Sequence, residues 1–129
     1  MQNKRFFAFG CSYTNYSWPT WADIIGINFS FYKNYGKAGC SNLYILQKFL
    51  EAHDKYNFNQ DDVIVVMFTG ISRFTYTEYG KVTTHGELRN YFQNTKDKSV
   101  GMFLDSGIWS EDLGASHAFI SIKAIKNLL

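Results

Sequence analysis

The sequence predicts an α/β domain in which a short parallel sheet is flanked by helices. Two apolar runs anchor this reading. Residues 5–9 form a short aromatic run closed by Gly10. Residues 61–69, "DDVIVVMFT", are apolar almost throughout, as expected for a strand covered on both faces. Between them, strand and helix patterns alternate, which is the signature of a parallel sheet. The chain has 129 residues, of which 46% are hydrophobic, enough for one compact domain with its own core.

Taken in order, residues 5–9 read as a buried strand. Residues 18–26 read as a helix. Ser17 or Trp18 is its expected cap, Pro19 suits its first turn and Gly26 its stop, with Trp21, Ile24 and Ile25 on one face. Residues 28–35 are a second strand, ended by Gly36. Residues 41–54 are a second helix capped by Ser41 or Asn42. Its expected stripe is Leu43, Leu46 and Leu50, with Phe49 beside it. Residues 61–69 are the third strand. Beyond Gly70 the periodicity dissolves, and residues from about 75 to 112 read as an irregular, aromatic-rich insert. Tyr76, Tyr79, Tyr91, Phe92, Phe103 and Trp109 there either cover the strand ends or form a small core under a long loop. Residues 76–84 suit a hairpin turning at Gly80. Residues 113–129 are helical again, with Phe119, Ile122 and Ile125 at three-residue steps. The chain reads as a single domain without repeat or linker. Its finish on a helix leaves a C-terminal truncation open.

Composition excludes several function classes. The formal net charge is +2 and the basic residues are scattered, which argues against nucleic acid or a membrane surface as partner. No apolar run approaches a membrane span, and the opening run is too short for a signal peptide. The expectation is a soluble, cytoplasmic protein with reduced thiols. Cys11 and Cys40 show no metal spacing, so no metal and no cofactor are expected. Aromatic residues make up 19%, more than one small core holds, so some should line a surface or groove.

The candidate site lies where strands end. In open parallel sheets, ligands bind beyond the carboxyl ends of the strands. Ser12 stands at the end of the first strand, before a loop and a helix. It suits a nucleophile whose own amide steadies an oxyanion. It suits equally a phosphate cradle with Thr14, Asn15 and Ser17, or a plain turn that caps the helix. After the second strand comes "NYGKAGCSN", residues 34–42, where Gly39 leaves a bare amide open to a ligand. After the third comes "FTGISRF", residues 68–74, with Gly70, Ser72 and Arg73. All three loops should emerge on one edge of the sheet.

"FGCSYT", followed by "WPTWADIIG" and "NYGKAGCSN", resembles the SGNH (GDSL-type) hydrolase family, in its branch with Gly-Cys-Ser for Gly-Asp-Ser. The resemblance reaches to about Arg73. It implies a three-layer, flavodoxin-like (SGNH hydrolase-type) fold and a serine esterase acting on acyl esters, for instance acylated carbohydrates or other small molecules. By the same resemblance Ser12 is the nucleophile, and the Ser12 and Gly39 amides are oxyanion donors. Ser72 stands where the family has a donating Asn. Arg73 compensates for that Asn, binds an anionic substrate group, or is a plain solvated or helix-capping arginine, and Asn42 belongs to the second binding loop. The family's Asp-x-x-His block is absent, so His85 and His117 are the candidate bases, while His53 reads as a surface residue remote from the site. Cys11 as nucleophile, a Cys11–Cys40 disulfide, and burial of both thiols as small hydrophobes are the alternatives for the cysteines. Two other functions stay open. One is an inactive SGNH-like module that binds a carbohydrate or a protein. The other is an FMN-binding flavodoxin-like protein, against which stands the lack of a glycine between Thr14 and Ser17. A sheet left short invites pairing with a second copy, so a homodimer is expected.

Overall fold

The computed structural model describes residues 2–78, 81–87 and 109–129 of the chain. The elements are β1 (Gln2–Phe9), α1 (Trp21–Gly26), β2 (Phe29–Asn34), α2 (Asn42–Tyr56), β3 (Val63–Val66), β4 (Arg73–Glu78), β5 (Lys81–Glu87) and α3 (Glu111–Leu128). The first three strands form a parallel sheet in the order β2-β1-β3. This is the expected α/β class.

The sheet is organised around β1. Phe6, Phe7, Ala8 and Phe9 are each 0% exposed. Successive side chains of a strand point to opposite faces. Phe7 and Phe9 accordingly face Ile45, Phe49 and Ala52 of α2, while Phe6 and Ala8 face Ala22 of α1. One helix thus covers each face. Aromatic contacts extend both cores: Phe6 stacks on Phe29 and Tyr32, and Phe9 lies parallel to Tyr35 with centroids 5.1 Å apart.

Both early helices bury only part of the apolar stripes expected: Trp21 of α1 and Leu46 and Phe49 of α2 pack against the cores. In α1 the buried residues are Ala22 and Gly26, whereas Ile24 and Ile25 are exposed. Small residues one turn apart let this short helix lie close on the sheet, with Gly26 against the Tyr32 ring. The helix starts at Thr20 rather than at Ser17 or Trp18. The Asp23 carboxylate accepts from the Thr20 N–H at 2.8 Å and from its hydroxyl at 2.9 Å, so Pro19 falls outside the first turn. In α2, Ser41 is the cap and Ile45, Phe49 and Ala52 form the buried face; Leu43 and Leu50 are exposed. Asn57, in the left-handed region at φ 48°, ends α2 and donates to the His53 carbonyl. His53 is half-buried, with its ring near Phe49 and Phe58, and is not the surface residue expected.

The third strand is shorter than its apolar run. It spans four residues, and Asp62, just before it, turns to Arg5. The guanidinium grips the carboxylate twice, Nε to Oδ1 at 2.6 Å and Nη2 to Oδ2 at 2.7 Å, and Nη1 reaches the Tyr56 carbonyl at 3.1 Å. This clamp joins β1, the end of α2 and the start of β3.

The segment read as irregular from about residue 75 contains an antiparallel hairpin, β4 with β5, in which Phe74 pairs with His85 and Glu78 with Lys81. Gly80, Tyr79, Tyr91, Phe92 and Phe103 lie outside the described residues, as does the side chain of Tyr76. Helix α3 packs on α2 through a face of small residues. Gly114, Ser121 and Ile125 are buried, while Phe119 and Ile122 are exposed. A Cβ on Gly114 would overlap the Ile71 carbonyl, and the Ser121 hydroxyl donates to the Asn42 carbonyl at 3.2 Å. Among the described residues no helix is long and apolar enough to cross a membrane.

The Arg5–Asp62 clamp makes a pH prediction. The guanidinium and the Asn59 amide hold the Asp62 carboxyl below its usual range against the opposing effect of burial. A depressed carboxyl stabilises the fold above its unfolded pKa of about 3.9, and that stability is lost as pH falls through the folded value. Asp62→Asn should destabilise the protein by about 1–3 kcal/mol at neutral pH and flatten the acid limb of its denaturation curve. Urea melts at neutral and acid pH would read both. An unchanged acid limb would contradict this account of the clamp.

Candidate active site

The turn after β1 is tight because Cys11 folds back on the chain. Its carbonyl accepts from the Thr14 amide at 2.9 Å and the Asn15 amide at 3.1 Å. Ser12 sits at the crest of this turn, half-buried, and among the described residues none hydrogen-bonds to its hydroxyl. Thr14, 0% exposed, anchors the turn from below. Its carbonyl accepts from the Thr20 hydroxyl at 2.5 Å and the Asn34 amide at 2.7 Å, tying the first loop to the start of α1 and the end of β2.

The second loop is fastened to the same turn. The Gly10 carbonyl accepts from the Lys37 amide at 2.9 Å and from the Cys40 thiol at 3.3 Å, and Asn15 donates to the Gly36 carbonyl at 3.0 Å. Gly39 has φ 73°, in the left-handed region that side chains avoid, so its identity is needed for the path of this loop. The third loop is held by Asn42. Its side-chain amide donates to the Thr69 carbonyl at 3.0 Å and accepts from the Thr69 amide at 2.8 Å. The Ser41 amide donates to Thr75 Oγ1 at 3.0 Å, which pins the start of β4 to the start of α2. The three loops therefore share one edge of the sheet, as expected.

Not every candidate residue is equally available. Asn42 is 3% exposed and both ends of its amide are committed to Thr69, so it is a strap between loops rather than a free donor. Ser72 and Arg73 are half-buried, and the Arg73 amide bonds back to Gly70 at 3.4 Å. Among the described residues, none is a hydrogen-bond partner by geometry for the buried Nη1 of Arg73 or the buried hydroxyl of Thr69. Both nonetheless lie near enough to influence Cys11. Burial alone would push that thiol up, but the Tyr13 amide, the Arg73 charge and the Thr69 hydroxyl draw it below its ordinary value. Cys40 behaves oppositely: burial and the neighbouring Cys11 push it up to about 11. Both thiols are free and buried, 3% and 0% exposed.

The histidines differ in placement. His53 is stacked among aromatic rings on α2. His117 is half-buried on α3, its carbonyl accepting from Ser121. His85 pairs with Phe74, the residue after Arg73, so its backbone stands at the end of the hairpin that adjoins the third loop. Sequence reasoning missed the roles of Asn34 and Thr69. Their signal was a small polar residue at or just beyond a strand's carboxyl end, the same signal that marked Ser12. It missed as well a hollow of about 330 Å³ beside Ser12, lined by Ser12, Tyr13, Tyr16, Trp18 and Thr20.

Gly39→Ala should lower stability by about 1–2 kcal/mol, the cost of a left-handed backbone for a residue with a Cβ. Thermal melting reads it, and an unchanged melting temperature would mean the loop reaches its path without a left-handed residue. Compared with family models, with curated proteins and with solved structures, the chain matches none of them.

Proposed function

We propose that the chain is a serine ester hydrolase of the SGNH type, with the three-layer flavodoxin-like fold of that family. The observation that carries this reading is the convergence at the sheet edge: Ser12 lies three residues beyond the central strand, the loop after β2 is hydrogen-bonded to its turn, and the loop after β3 is strapped to the start of α2 by Asn42. In this reading Ser12 Oγ attacks the ester carbonyl carbon and its proton passes to a base. The carbonyl oxygen becomes an oxyanion that accepts from the amides of Ser12 and Gly39. Collapse expels the alcohol, which takes the proton, and leaves an acyl group on Ser12. Water activated by the same base then releases the acid and restores the serine.

His85 is the preferred base. It adjoins the third loop through the hairpin register, whereas His117 belongs to a helix braced against Ile71 and α2. Ser72 and Arg73 are the remaining candidate donors to the oxyanion, since the amide of Asn42 is already engaged. A second reading, a binding module without chemistry, draws on the bare hydroxyl of Ser12, which has no partner among the described residues.

Turnover of p-nitrophenyl acetate tests the proposal. The wild-type chain should hydrolyse it above the blank, and Ser12→Ala should lose about a thousandfold or more of kcat. A Ser12→Ala rate equal to wild type would overturn the assignment.

A further inference from the structure

Helix α3 carries an apolar stripe that its own chain leaves uncovered. Its buried residues, Gly114, Ser121 and Ile125, face Ile71 and the α2 core. At about 3.6 residues per turn, residues 112, 115, 119, 122 and 126 fall on a second face, spaced by alternating steps of three and four. Leu129 follows on the same line just past the helix end. Every residue of this stripe is exposed. Phe119 is 62% exposed, Ile122 44% and Leu129 66%. Large apolar side chains gathered on one surface mark a place that something covers.

The charges on the stripe say what that is. Asp112 stands at its amino end and Lys126 at its carboxyl end, and Phe119 lies midway between them in the sequence. Among the described residues neither Asp112 nor Lys126 has an ion-pair partner. Lys123 lies beside the apolar centre, its ammonium over the Phe119 ring at 5.7 Å from the centroid.

We infer that a second copy of this chain covers the stripe, the two α3 helices lying antiparallel about a two-fold axis at Phe119. That axis sets Phe119 against its counterpart. It also brings Asp112 of each copy to Lys126 of the other, at both ends at once. A two-fold contact requires a face that is complementary to itself. A stripe acidic at one end and basic at the other meets that requirement only when the helices run in opposite directions, since a parallel pair would set like charges together. The antiparallel order opposes the two helix dipoles as well. Asp112 and Lys126 lie about 21 Å apart along the helix axis, so the contact uses most of the helix. An anionic membrane is a poorer match, because Asp112 on the stripe itself would meet the phosphates. The contact needs neither the chemistry of Ser12 nor a strand edge.

Sedimentation velocity of the intact chain at micromolar concentrations is the test. The wild-type chain should sediment as a dimer, and Phe119→Asp should weaken the association about tenfold or more. Asp112→Lys alone, or Lys126→Asp alone, sets like charges opposite each other at both ends, and each should weaken it about tenfold. Mixing those two single variants should restore a dimer, because each facing pair then holds one acid and one base. All three side chains are exposed, so the fold should tolerate the changes, and circular dichroism checks this. A wild-type chain that stays monomeric overturns the contact. If that monomer cosediments with phosphatidylglycerol vesicles, the stripe belongs to a lipid surface instead. A dimer that Phe119→Asp leaves untouched, or charge variants that do not pair on mixing, overturns the contact as well and places the interface elsewhere on the chain.

Discussion

Burial of β1 on both faces is the constraint from which the architecture follows. Four consecutive residues, Phe6 to Phe9, lose all contact with solvent. A strand can do that only in the middle of a sheet with cover above and below. β2 and β3 must then flank it, and one helix must lie on each side. Burying a phenylalanine side chain is worth about 1.5–3 kcal/mol, so no arrangement that exposes these rings competes. The same constraint decides where polar chemistry can start. At Gly10 the chain leaves the core, and Ser12 stands two residues beyond it.

Loop positions at that edge are determined by backbone groups rather than by side-chain packing. The carbonyls of Ala8, Phe9 and Gly10 have no partner left within the regular sheet ladder. They accept instead from Tyr35, Met67 and Lys37, the first residues of the neighbouring loops and beyond. Satisfying the end of the central strand thus pulls the second and third loops against the first. Asn42 and Thr14 complete the fastening. Ser12 is left as the hydroxyl on the crest, with a ring-lined hollow to one side and the Arg73 guanidinium toward the third loop.

The strands and their order of appearance were legible because continuous apolar runs and glycine stops are local signals. The meeting of three loops at one sheet edge was legible for the same reason, since each loop announces itself with Gly and a small polar residue. Helix faces were legible only in part. Of the expected stripes, Trp21, Leu46, Phe49 and Ile125 pack on the core, whereas Ile24 and Ile25 in α1, Leu43 and Leu50 in α2, and Phe119 and Ile122 in α3 are exposed. The structure buries Ala22 and Gly26, Ile45 and Ala52, Gly114 and Ser121. Close approach of a helix to a sheet or to another helix rewards small residues at the contact, and no periodicity of bulky residues reveals that. The role of Asn42 was hidden similarly. An asparagine at a helix start reads as a cap or a ligand donor, and only the distant Thr69 backbone makes it a strap.

The central claim is that this convergence activates Ser12. The most direct measurement is the intact mass of the chain after exposure to a fluorophosphonate, with the adduct located by peptide sequencing. The account predicts one adduct, on Ser12, that disappears in Ser12→Ala. A folded chain that stays unlabelled, or carries its label on Cys11 or another residue, would contradict it.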